Sequence, residues 1–321
     1  MAQLAYLSLL SLIYLIPAVI LLFFQRKLIY PAWMIPGEET RFYGGEIILL
    51  SSGKFKIRCL VAICPAHRAK GVTVLIFHAN AAADMGDFVS HFVAEGCHVV
   101  VPTYRGYGSS EGSPSGHGLK QDAQAALDYI LGHEMLRSTR IVIFGYSLGG
   151  AVASYLASKN PNVAKALIIA NAWDTLPHLI WQNIKLGIPF IPFLTTRWES
   201  DKAIKKVGPD TSILIMNGQD DQVVPPNSHI RNGRAADSRS TNPGVINRTK
   251  VLPGDHASLA IYPDFFYTIR DFAQEINLFT PSTDFISNEH IDRSEANSSA
   301  SQPEPDSESV PPTSPVVSLR S

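Results

Sequence analysis

Ser147 stands between glycines in the run Gly145-Tyr146-Ser147-Leu148-Gly149, directly after the apolar stretch 140–144. A neutral serine hydroxyl is a poor nucleophile. It attacks a carbonyl only when a histidine takes its proton and a carboxylate orients that histidine. Backbone N–H groups must also face the oxygen on which negative charge develops. Where a Gly-x-Ser-x-Gly turn carries that serine from a strand into a helix, the serine comes first in the chain, then the acid, then the histidine, on loops beyond the strands. Taken alone, the glycine-fenced serine is equally an ordinary strand-to-helix turn, so the partners decide its meaning.

The partners arrive in that order. The run "ILIMNGQDDQVVP" (213–225) carries Asp220 and Asp221 on the loop after an apolar stretch. One of two adjacent aspartates in a loop commonly serves the turn itself. His256 follows the last apolar stretch, behind Gly254-Asp255, and is read as the base; Asp255 is expected to point elsewhere. The N–H of Leu148, next to the serine, is the first candidate donor to an oxyanion. A second donor is expected from the loop after 72–77, where Asn80 leads and Ala79 and Ala81 are neighbouring candidates. His78, which ends that strand, is read as a buried residue bonding loop backbone.

The elements needed to place these residues are legible. Strands are expected at 46–50, 56–63, 72–77, 98–101, 140–144, 166–170, 212–216 and 249–252. The central ones are near-continuous Val/Ile/Leu runs, as parallel strands covered on both faces require. The first two alternate and predict an antiparallel hairpin at the sheet's edge. Between strands, Leu119, Ala123, Ala126, Leu127 and Ile130 follow helical spacing. The pattern is an α/β fold: a mostly parallel eight-stranded sheet with helices on both faces.

Outside this core, 4–24 is apolar and uncharged and ends at Gln25-Arg26-Lys27. It is long enough for a hydrocarbon core of about 30 Å. Its start lacks a basic region, and it ends without the small residues of a cleavage site, so an uncleaved transmembrane helix is expected. The basic residues on its C-terminal side put the following domain in the cytosol. The resulting division is 1–27 anchor, 28–280 catalytic domain with a cap at about 173–200, and 281–321 a Ser/Pro/acidic tail. That tail has too few apolar residues to offset its ordering entropy.

Net charge is −1, from 27 basic and 28 acidic residues, so no basic surface for nucleic acid is expected. Cys59, Cys64 and Cys97 sit in strand-like contexts and read as buried reduced thiols. No His-Glu-x-x-His and no Cys/His set at zinc spacing occurs, so neither a metal nor a cofactor is expected.

At these motifs the chain resembles the α/β-hydrolase-fold serine hydrolases, and within them the membrane-anchored abhydrolase-domain group with a short lid. "PTYRGYGSSEGSPSGHGLKQDAQAALDYI" (102–130), "GYSLGG" (145–150), "GQDDQVVP" (218–225), "GDHASL" (254–259) and "QRKLIYPA" (25–32) carry the resemblance, which covers about 25–280. The Gly-x-x-Asp-x-x-Val-Pro pattern implies Asp221 rather than Asp220 as the acid. The group's His-Gly-Asn-Ala-Gly loop is here His78-Ala79-Asn80-Ala81-Ala82, which has less backbone freedom.

The resemblance implies lysophospholipids, lipid esters or protein thioester palmitate as substrate classes. The cap holds three of the four tryptophans, together with Phe190 and Phe193. Beside a membrane anchor it points to an acyl or other apolar group, although such aromatics also serve simply to pack a cap onto its sheet. The expected activity is hydrolysis of an acyl/lipid-like or small ester or thioester. The alternatives are a prolyl-aminopeptidase-like serine peptidase and a non-catalytic membrane protein on a hydrolase scaffold.

Overall fold

Among the described residues, eight strands form one sheet in the order β1-β2-β4-β3-β5-β6-β7-β8. They are β1 (Glu46–Ser52), β2 (Phe55–Ala62), β3 (Val72–Phe77), β4 (His98–Pro102), β5 (Arg140–Tyr146), β6 (Ala164–Ala170), β7 (Ser212–Gly218) and β8 (Asn247–Leu252). The computed structural model describes residues 15–16, 19, 23–34, 40, 42, 44–80, 84–183, 191–225 and 227–279. β1 and β2 pair antiparallel, as do β2 and β4; every other neighbouring pair is parallel. The expected edge hairpin is therefore β1–β2.

Strand faces alternate and feed two separate cores. Ile141, Ile143, Leu167, Ile169, Ile213 and Ile215 point to one side. Val142, Phe144, Ala166, Ile168, Leu214 and Met216 point to the other. The first core is closed by helices α2 (Gly116–Gly132) and α3 (Leu148–Lys159), the second by α1 (Gly86–Ala94) and α7 (Pro263–Glu275). Ser115 caps α2 by accepting the N–H of Gly118 at 3.0 Å. A buried Arg105–Asp122 pair at 2.7 Å ties the loop after β4 to α2. Helix α3 is buried almost throughout, because its Gly and Ala residues let it approach the sheet closely.

The structure differs from the sequence reading mainly in strand ends. β5 runs on to Tyr146, which pairs with Ala170, and β7 runs on to Gly218, which pairs with Leu252. Asn217 and Gly218 read as loop residues, yet ladder hydrogen bonds hold them in the strand. Remaining helices are α4 (Leu176–Asn183), α5 (Ser200–Ile204) and α6 (Ser228–Asp237). All three cysteines are buried free thiols.

The expected membrane helix falls mostly outside the described residues, and the expected tail entirely so. Among the described residues no helix is long and apolar enough to cross a membrane. Residues 23–29 are helical and lead into a short 3-10 turn at Ala32–Met34.

Candidate active site

Ser147 occupies the turn between β5 and α3 with φ 53° and ψ −115°. A positive φ is strained for a residue with a Cβ, by about 1–3 kcal/mol. The turn is held because the Ser147 N–H donates to Ala170 O at 2.9 Å, while Ser147 O accepts from Gly150 N at 3.0 Å. The flanking glycines are required by contact. A Cβ on Gly145 would lie 2.1 Å from Gly149 O, and one on Gly149 would lie 2.0 Å from Phe77 O. Either would force α3 away from the sheet.

The turn brings Ser147 Oγ to 3.0 Å from His256 Nε2. On the other side of the ring, His256 Nδ1 lies 2.9 Å from Asp221 Oδ2. The Asp221 side chain is fully enclosed, and its Oδ1 accepts the N–H groups of Val223 at 2.8 Å and Val224 at 2.9 Å. With Oδ1 so engaged, Oδ2 is left for the imidazole. A carboxylate there makes Nδ1 the donor and leaves Nε2 as an acceptor toward the serine hydroxyl.

Neighbouring carboxylates do not join this chain. Asp220 is exposed, and its N–H donates to Gly254 O at 3.0 Å. Asp255 Oδ1 accepts from Ala257 N, Ser258 N and Ser258 Oγ. The Ser258 hydroxyl, foremost among these donors, holds the Asp255 carboxyl below its usual value.

Two residues that sequence reasoning passed over fix the histidine loop. Asn171, buried and left-handed at φ 46°, sits just past β6. Its Nδ2 lies 3.0 Å from Tyr146 Oη, 3.1 Å from Asp255 O and 3.2 Å from His256 O, and its Oδ1 accepts Gly218 N–H at 2.8 Å. Tyr146 Oη donates to His256 O at 2.8 Å. Burial pushes the Tyr146 phenol up, so it keeps the proton it donates. One amide thus joins the ends of β5, β6 and β7 to the loop carrying His256. Asparagine tolerates the left-handed conformation better than most residues. That preference was the only sequence signal for Asn171, and it is a weak one.

The loop after β3 abuts the same turn: a Cβ on Gly149 would also lie 2.9 Å from His78 O. His78 is fully buried. Its Nδ1 bonds Ala79 O at 2.7 Å and its Nε2 accepts from Tyr104 N at 3.3 Å. The Asn80 side chain is held at both ends, donating to Ile29 O at 2.6 Å and accepting from Tyr107 Oη at 2.6 Å. Leu148 N–H lies in the first turn of α3, where no intrahelical acceptor exists. Ala81 and Ala82 lie outside the described residues.

The segment expected to form a cap begins with α4, and its ends meet at a bridge between Thr175 and Glu199. Trp173 and Trp198 are buried in the core, whereas Trp181 is 56% exposed. Phe190 lies outside the described residues. Asp174, buried at the cap's base, accepts from His178, Ser228 and Arg231 and so links α4 to α6. A cavity of about 380 Å³ is lined by Pro177, His178, Trp181, Gln182, Ile191 and Arg231; Ser147 is not among its walls. On the other side of α4, Asn183 Nδ2 donates to Val223 O at 2.8 Å, next to the Asp221 loop.

The fold has counterparts among known proteins. Residues 72–191 match the family model described as alpha/beta hydrolase fold. Protein bem46 of Schizosaccharomyces pombe is 30% identical over 277 residues, covering 81% of this chain and 89% of that one. The alpha/beta hydrolase domain-containing protein WAV2 of Arabidopsis thaliana is 32% identical, over 64% of this chain and 74% of that one. An uncharacterized membrane protein of Saccharomyces cerevisiae is 28% identical, over 78% of this chain and 89% of that one. Among solved structures, the Pyrococcus furiosus esterase Pf2001 superposes with a TM-score of 0.59 at 13% identity, over 72% of this chain and 90% of that one. At that identity the superposition speaks for the fold. The identity to bem46 along nearly its whole length, with the family match across the serine turn, makes this chain a member of the α/β-hydrolase family.

Proposed function

We propose that the protein is a membrane-anchored serine hydrolase that cleaves an acyl ester or thioester through Ser147, His256 and Asp221. The observation that carries this reading is the 3.0 Å approach of Ser147 Oγ to His256 Nε2 on a turn of positive φ. As Ser147 Oγ attacks the substrate carbonyl, His256 Nε2 takes its proton. Asp221 holds the ring and stabilises the imidazolium. The carbonyl oxygen becomes an oxyanion that accepts from the N–H groups of Leu148 and Asn80. Collapse of this intermediate breaks the bond to the alcohol or thiol, which leaves with the proton from His256. The acyl group is then on Ser147. Water, deprotonated by His256, attacks the acyl-enzyme; the acid leaves and Ser147 regains its proton.

An acyl or lipid-like substrate is favoured by the exposed Trp181, which with Pro177 and Ile191 forms the apolar part of the cavity wall beside α4. Membrane attachment is supported by the apolar run at 4–24, which ends in exposed Phe23 and Phe24, and by exposed Leu28 and Trp33 just after it. A yeast relative bears the name of a membrane protein. The exposed Arg26 and Lys27 at the end of the run favour a cytosolic catalytic domain. The test is hydrolysis of p-nitrophenyl esters of increasing acyl length by the full chain in detergent, with Ser147→Ala as control. Esterase activity that rises with acyl length and vanishes in Ser147→Ala is expected. Equal activity in the variant, or preference for a peptide amide, would contradict the reading.

A further inference from the structure

We propose that the segment just after the membrane run, from Gln25 to Tyr30, is a working part of the active site. In this role it positions the oxyanion loop through the side chain of Asn80. The inference rests on the serine-hydrolase reading above.

Asn80 lies on the loop that must present the second oxyanion donor. Ala79, next to Asn80, carries a Cβ, so the backbone there has fewer ways to approach the site than a glycine would allow. What holds it is the Asn80 side chain. Its Nδ2 donates to the main-chain oxygen of Ile29, 51 positions upstream, at 2.6 Å. Its Oδ1 accepts from Tyr107 Oη, on the loop after β4, also at 2.6 Å. Both polar ends of one short side chain are used, each on a different segment. The amide is a strut that sets where its own backbone N–H points.

The upstream end of that strut is itself fixed to the cap. Gln25, 1% exposed although it follows an apolar run, accepts from Thr195 N at 2.8 Å and donates to Phe193 O at 3.4 Å. Tyr30, also buried, accepts from Trp198 Nε1 at 2.8 Å. Burial pushes the Tyr30 phenol up to about 12, so it stays neutral in that setting. Within six positions, the chain binds the cap at both ends and the oxyanion loop between them. A residue such as Gln25 would be expected to face water; here it is spent on the cap backbone. The segment therefore couples three things: the end of the apolar run, the 173–200 segment, and the donor loop. Asn80, through its side chain, and Tyr107 are positioning residues in this arrangement.

The test uses the full chain in detergent and reads kcat, KM and thermal stability for Asn80→Ala, Tyr107→Phe, their double variant and Gln25→Leu. Loss of one oxyanion donor lowers kcat by about 10²-fold. Asn80→Ala is expected to approach that loss with KM little changed. Tyr107→Phe should show a smaller kcat loss, and the double variant should equal Asn80→Ala, because the Tyr107 hydroxyl acts through Asn80. Gln25→Leu should lower kcat in the same direction while Ser147 still reacts with a fluorophosphonate. Variants with wild-type kcat, losses confined to KM, or kcat losses that merely follow thermal stability would overturn the proposal. A wild-type chain that neither turns over esters nor labels at Ser147 would instead remove the reading on which it rests.

Discussion

The side-chain amide of Asn171 lies 3.2 Å from the main-chain oxygen of His256, although the two residues are 85 positions apart. The contact joins the end of β6 to the loop that carries the imidazole. The same side chain receives Gly218 N–H from the end of β7, so the loops bearing Asp221 and His256 share one brace.

Replacing Asn171 by Asp keeps the shape but replaces the donor group with an oxygen facing the carbonyls of Asp255 and His256. A buried polar mismatch of this kind costs about 1–3 kcal/mol. Displacement of the imidazole should lower kcat by about 10²-fold, with a smaller change in KM. Chemical denaturation and steady-state kinetics check both halves. An Asn171→Asp protein with wild-type kcat would show that the brace does not position His256.

The cap tryptophans are expected to separate stability from substrate preference. Trp198 is buried and bonded to Tyr30, so Trp198→Ala should cost about 3–5 kcal/mol. Trp181 is exposed, and Trp181→Ala should change stability by less than about 0.5 kcal/mol. If its ring receives the acyl chain, KM for long-chain esters rises by about tenfold, or about 1.4 kcal/mol, while short-chain esters are unaffected. An acyl-length profile measured on both variants distinguishes the two roles. A parallel shift for all chain lengths in Trp181→Ala would place the acyl group elsewhere.

His78 predicts a pH dependence of stability. Burial holds its imidazole down at about 4, against an ordinary value of 6.5, with the bond to Ala79 O opposing the shift. In the unfolded chain the ring protonates as pH falls through 6.5, while in the folded protein it stays neutral to about 4. The unfolded state therefore binds more protons across this window. The stability contribution is complete above 6.5 and is lost on going down to about 4, by about 3 kcal/mol. Protonation would also remove the acceptor that Nε2 offers to Tyr104 N. Urea denaturation at pH 7 and pH 4.5 checks this against His78→Gln, which is expected to lose less stability over the same interval. Equal slopes would assign the acid sensitivity to other groups.

The sheet was largely legible because its central strands, β3, β5, β6 and β7, are near-continuous apolar runs. β8 was read short because Asn247 and Arg248 lie on an exposed edge, where burial writes no pattern. That Ser147, His256 and one of the pair Asp220–Asp221 should converge was legible from glycine spacing and chain order. Choosing Asp221 over Asp220 needed the resemblance, since two adjacent aspartates look alike until one is enclosed and the other exposed. Asn171 and the Ile29–Asn80–Tyr107 strut were not legible. Their roles depend on a left-handed backbone and on main-chain oxygens, and a main-chain oxygen is the same for every residue type. The cap's aromatics were ambiguous because a tryptophan that packs and one that receives substrate share one letter; only exposure separates Trp181 from Trp173 and Trp198.

The central claim is that Ser147 is an activated nucleophile. Intact-protein mass spectrometry after treatment of the full chain with a fluorophosphonate tests it directly, on wild type, Ser147→Ala, Asp221→Asn and Asp220→Asn. One adduct is expected on wild type and on Asp220→Asn, none on Ser147→Ala, and labelling of Asp221→Asn slowed by about 10⁴-fold. An unlabelled wild type, or an adduct of equal yield on Ser147→Ala, would contradict the claim.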